Sequence, residues 1–239
     1  MSSLVINSKI WGEMFGTREM SDIFSDKKTI QYYLEVEAAL ARVQSRLGII
    51  PKSCGLEISK VAKTDWIDWK LLEKRTSMVG YPVLPLVEQL SLKVKKNLGQ
   101  YCHWGATTQD IMDTADVLQI RDALSILLSD LVGIKKALKK LVKKYINTPM
   151  SGRTHLQHAL PTSFGYKCST WLSGIERHID RIKEIKERLF YVSFFGAAGT
   201  LASLGEKDGL GTKNGLAKEL KLKSPDAVSY THLTLPTTY

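Results

Sequence analysis

The stretch VLQIRDALSILLSDLVGIKKALKKLVKKY, residues 117–145, decides how the rest of the chain is read. Val117, Ile120, Leu124, Leu127, Leu131, Ile134, Leu138, Leu141 and Tyr145 recur at alternating steps of three and four. That spacing draws one apolar seam along a helix for about four heptads. A second row, Leu128, Val132 and Val142, widens the apolar face, so this helix needs neighbours on more than one side. Lys135, Lys136, Lys139, Lys140, Lys143 and Lys144 crowd its C-terminal end. There they form the solvated face and complement the negative end of the helix macrodipole. With no aromatic or arginine interleaving, they read as surface rather than as a nucleic-acid groove.

Working outward, helical periodicity continues on both sides. Ser25-Asp26 can cap a helix through Ile30, Leu34, Glu37, Leu40 and Leu47, closed by Gly48 and Pro51. A shorter pair is expected near Trp66–Ser77 and Leu84–Leu98, punctuated by Gly80-Tyr-Pro82 and Gly99. Downstream, Phe164, Cys168, Trp171, Ile175, Ile179, Ile182 and Leu189 form the stripe of a second long helix, expected to begin at Pro161 and end near Phe190. No segment shows strand alternation. The expected fold is all-α, with residues 110–147 and 161–190 as two long antiparallel helices joined by a loop.

Composition agrees with a folded chain: 239 residues, 44% apolar and 24% charged, lie outside the disordered range. A net charge of +10 permits anionic partners without choosing among them. Three cysteines, Cys54, Cys102 and Cys168, with no C-x-x-C spacing, argue against a disulfide framework or a zinc ribbon and suit a reducing cytoplasm. No apolar run reaches membrane-spanning length and the first residues do not read as a signal peptide.

Two segments carry more polar and small residues than core packing requires. The first, Cys102 to Ala115, opens the longest helix with Thr107, Thr108 and Asp110 after Gly105. Free N–H groups and two hydroxyls at a helix start make either an anion site or a cap that satisfies only itself. Cys102 beside His103 does not read as a nucleophile pair, because adjacent side chains seldom face one another. The second, Ser151 to Pro161, gathers Arg153, Thr154, His155, Gln157 and His158. Histidine is the natural proton carrier near neutral pH. His155-x-x-His158 lacks a third ligand at a usable spacing, so no metal is expected.

At these segments the sequence resembles a known family. HWGATTQDIMDTA (103–115) resembles the first signature of the fumarase/aspartase superfamily, and GRTHLQHALPT (152–162) the second. Residues 18–26 with 33–40 are similar to its N-terminal segment, and FGAAGTLAS (195–203) to the turn after its second long helix. Within the superfamily the likeness is to the branch holding adenylosuccinate lyase and bacterial 3-carboxy-cis,cis-muconate cycloisomerase. VGYPVLPLV (79–87) lacks the His-Asp pair usual in adenylosuccinate lyases and is similar to the corresponding cycloisomerase segment.

The resemblance implies chemistry β to a carboxylate, through an aci-carboxylate intermediate that needs anion donors. Thr107 and Thr108 would supply them, His155 would act as acid or orient it, Thr154 and Gln157 would position substrate, and Arg18 would pair with a carboxylate. It implies a small polycarboxylate as substrate, no cofactor, no metal, no nucleic acid or membrane partner, and a homotetramer for the full-length family. The family's third signature, a mobile loop with the serine base, does not occur in these residues. The organisation expected is an N-terminal helical domain over 1–108, a partial central bundle over 109–226, and a non-native or disordered tail over 227–239. The chain alone is expected to be inactive. Adenylosuccinate-type elimination and a catalytically dead oligomerisation scaffold stay open as alternatives.

Overall fold

The computed structural model describes residue 8 and residues 10–226, so the expected tail over 227–239 lies outside the described residues. The described chain is a helical bundle with one small hairpin. It divides into two compact units, one built from residues up to Ile120 together with those from Phe190 onward, the other from Arg121–Leu189.

The first unit is organised around α3, Asp26–Leu47. Ser25 caps it by accepting the Lys28 N–H at 3.3 Å, and Gly48, at φ 75°, closes it in the left-handed conformation that glycine enters without strain. Leu34, Val36, Ala39, Leu40 and Val43 are fully buried on it. The same unit contains the short α1 (Gly12–Phe15) and α2 (Arg18–Ile23), then α4 (Cys54–Val61), α5 (Trp69–Val79), α6 (Val83–Lys93) and α9 (Glu206–Leu220). α4 and α9 both pack directly on α3. The expected short pair is present as α5 and α6. α5 starts later than its apolar pattern because Asp68 caps it through the Leu71 N–H. α6 stops at Val94, where the backbone turns extended before a short 3-10 turn at Gly99–Tyr101.

The longest helix, α7, runs unbroken over Thr108–Lys144, about 55 Å at the α-helical rise. Its opening turns bury Ile111, Thr114, Ala115 and Leu118 in the first unit's core.

In the second unit α7 lies antiparallel to α8, Phe164–Leu189. Lys135 and Lys139 reach Glu176 at 3.0 and 3.7 Å, and the Tyr145 ring meets Phe164 edge-on at 5.4 Å. The segment between them departs from expectation. It is a β-hairpin, β1 (Pro149–Thr154) paired antiparallel with β2 (Gln157–Ser163). Pro161 therefore sits in β2 opposite Ser151, not at the first turn of a helix, which begins at Phe164. The strand tolerates it because the ladder is irregular beside it, between Ser151 and Arg153, so its missing N–H costs little. Gly152 occupies that irregularity, where a Cβ would stand 2.5 Å from the Leu160 carbonyl oxygen.

Among the described residues no helix is long and apolar enough to cross a membrane.

Candidate functional site

The start of α7 is held by a buried carboxylate. Asp110 accepts the Phe195 N–H at 2.8 Å through Oδ1, and the Gly196 and Thr107 N–H groups at 3.0 Å each through Oδ2. One side chain thus ties the 195–199 turn to the turn that opens the helix. Thr114 extends the tie, donating to the Ser193 carbonyl and accepting its N–H. Gly105, at φ 72°, is a strained position for any other residue, since a Cβ would lie 2.5 Å from the Leu204 side chain and force it to move.

From the other side α3 supplies a second buried carboxylate. Glu37 meets His103 twice, its Oε1 lying 2.6 Å from Nδ1 and its Oε2 accepting the His103 N–H at 3.0 Å. The His103 backbone is left-handed, φ 60°, and this double contact holds it there. Burial disfavours the imidazolium, but the Glu37 charge and hydrogen bond, aided by Asp110, outweigh it and raise the His103 pKa. Gln44, two turns along α3, donates to the Trp104 carbonyl at 2.8 Å.

Thr107 directly precedes α7 and Thr108 is its first residue, both half-buried. Asp110 occupies the Thr107 N–H, so that donor is not free for an anion. The Thr108 and Gln109 N–H groups and both threonine hydroxyls have no protein partner among the described residues. Four donors therefore remain at the positive end of a long helix. Burial also raises the pKa of Asp113 and Asp116 on the next turns. Cys102 is buried and its thiol is pushed up to about 12 by burial and by Glu37, which makes it a poor nucleophile.

In the second unit, His155 and Leu156 form the two-residue turn of the hairpin at φ 47° and 62°. Positive φ at both positions is the turn that matches strand twist. Thr154 and Gln157 face one another across it, so Thr154, His155 and Gln157 share one exposed tip. Arg18 lies on α2 and pairs with Glu13 at 2.5 Å on the surface. No hydrogen bond or ion pair among the described residues joins it to Thr107 or Thr108. No group of three or more His, Cys, Asp or Glu among the described residues could hold a metal ion.

Glu37, His103 and Gln44 were not among the expected site residues. Glu37 could have been found, because a carboxylate in line with Leu34 and Leu40 on an apolar stripe needs a buried partner.

The chain belongs to the fumarase/aspartase superfamily, with residues 14–234 matching the Lyase family. It is 44% identical to trans-aconitate decarboxylase 1 of Mycosarcoma maydis, over 92% of this chain and 44% of that protein. It is 39% identical to the 3-carboxy-cis,cis-muconate cycloisomerase of Acinetobacter baylyi, over 90% of this chain and 49% of that protein. Among solved structures, a fumarate lyase from Mesorhizobium sp. BNC1 superposes with a TM-score of 0.85 at 50% identity, covering 90% of this chain and 50% of that one. The chain thus spans about half the length of the curated relatives it matches.

Proposed function

We propose that the full-length protein carrying this chain is a lyase or cycloisomerase acting β to a carboxylate, with 3-carboxy-cis,cis-muconate as the first candidate substrate. The observation that carries this reading is the set of four unpartnered donors at the start of α7, in the segment that matches the family's first signature. A substrate carboxylate bound there gains charge as it becomes the aci-carboxylate, and preorganised N–H and O–H groups stabilise that charge most where it develops. In lactonisation a second carboxylate oxygen adds across the double bond while a proton is delivered to the α carbon; elimination is the reverse. His155 carries or orients that proton, Thr154 and Gln157 position the substrate beside it, and Arg18 exchanges Glu13 for a substrate carboxylate. No organic cofactor or metal is required by this chemistry.

A central bundle built on α7 and α8 then assembles as a homotetramer. Each site combines Thr107–Thr108 of one subunit with His155 of another, and the chain by itself is inactive. A second reading, decarboxylation of a tricarboxylate, is favoured by the 44% identity to a trans-aconitate decarboxylase. Assay of the full-length protein with 3-carboxy-cis,cis-muconate, trans-aconitate and adenylosuccinate separates the readings. Turnover of the first supports the proposal; turnover of either other substrate alone overturns the choice. His155→Asn is expected to lower kcat by about 10²–10⁴-fold with little change in stability, since the side chain is exposed.

A further inference from the structure

Where α3 meets α4 and α9, the first unit carries a cleft of about 410 Å³ that shares no residue with the start of α7. Arg42, Arg46, Lys52, Ser45 and Ser59 line it. The two arginines stand one turn apart on α3 and are fixed by the same carboxylate. Arg42 Nε donates to Glu219 Oε1 at 2.7 Å and Arg46 Nη2 to Glu219 Oε2 at 2.6 Å. Arg42 Nη1 also donates to the Ser59 hydroxyl at 2.9 Å. Burial works against the Glu219 carboxylate, but hydrogen bonds from both guanidiniums hold it below its ordinary range.

A tie between α9 and α3 needs one arginine on Glu219. A second arginine leaves the group with one excess positive charge, and Lys52, with no partner among the described residues, adds another. Arg42 Nη2 and Arg46 Nε and Nη1 have no acceptor among the described residues, and the Glu219 and Ser59 contacts keep their planes from wandering. A pair of oriented guanidiniums with a nearby ammonium matches the several oxygens of one compact anion, and preorganisation lowers the entropy lost on binding.

We propose that this cleft is a binding site for a small multivalent oxyanion, a phosphate monoester or a polycarboxylate, clasped by Arg42, Arg46 and Lys52. It is a site additional to the donors at the start of α7 and does not depend on the reaction assigned to them.

The test titrates inorganic phosphate and, separately, citrate into the protein, with sodium chloride at matched ionic strength. The readout is the Nε–H resonances of Arg42 and Arg46 by NMR. Saturable shifts with phosphate, citrate or both, and none with chloride, are expected. Phosphate alone points to a phosphorylated ligand, and citrate alone to a polycarboxylate. Arg46→Gln with Lys52→Gln keeps the Arg42–Glu219 tie and should weaken binding at least tenfold. Lys52→Gln alone lies outside the helices, so it keeps the test valid if the double variant does not fold, and it should weaken binding measurably. Shifts equal to those with chloride, or unchanged affinity in either variant, would overturn the proposal.

Discussion

Helix α7 presents two apolar faces that fare differently. In its opening turns Ile111, Ala115 and Leu118 are at most 1% exposed, packed into the core around α3. The seam read from the sequence points elsewhere: at about 100° per residue, Ile120 lies opposite Ile111 and Leu127 opposite Leu118. Beyond Ile120 the seam is poorly covered. Leu138 is buried, but Leu127 is 43% and Ile134 46% exposed. Trp171, on the stripe expected for α8, is 51% exposed, and Leu156 and Leu160 of the hairpin are open to solvent. One short stretch of helix is thus closed within its own unit, whereas a heptad seam of some four repeats is only partly covered by the described residues. A periodicity reports that a face will be buried; it does not report by which chain.

The sharpest way to break that contrast is to compare substitutions on the two faces. Leu118→Ala should cost the chain about 2–5 kcal/mol in urea unfolding, because it leaves a cavity in a closed core. Asp110→Ala should cost about 3 kcal/mol or more, since three N–H groups, two of them buried, lose their acceptor and the 195–199 turn loses its anchor.

A smaller effect, with a pH signature, is expected at Glu37. The folded pKa of His103 is raised, so the stability its pairing contributes is fully present below the ordinary imidazole pKa and is lost as pH rises through the folded value. Glu37→Gln should therefore destabilise by about 1–3 kcal/mol near pH 5.5 and by less near pH 9, in parallel unfolding curves. An equal loss at both pH values would mean that the pair is not ionic. The smallest effect belongs to Leu127→Ala, expected within about 0.5 kcal/mol in the chain alone. The same change in the full-length assembly should weaken subunit association.

The physical origin of what was legible follows the same division. Ser25 and Gly48 bounded α3 because capping is local, and the seam fixed α7 because its spacing held over many turns. The hairpin was not legible. Both faces of β2 are open over Gln157–Pro161, so no alternation marks it, and its turn is His155-Leu156 rather than the asparagine-glycine that advertises such turns. Thr107 was correctly placed before the long helix, but the tie from Asp110 to the Phe195 N–H, 85 residues away in sequence, is one that only the packed fold creates. Glu37 and His103 meet across 66 residues, a pairing that only the packed fold creates.

The proposal that one subunit's threonines meet another's histidine across the partly open seam is tested most directly by complementation. Full-length Thr107→Val and His155→Asn variants, each inactive alone, would be mixed, dissociated and reassembled, and turnover of 3-carboxy-cis,cis-muconate measured. The account predicts that activity returns in the mixture, because mixed assemblies contain sites with both native residues. Two well-folded variants that co-assemble and regain no activity would contradict it.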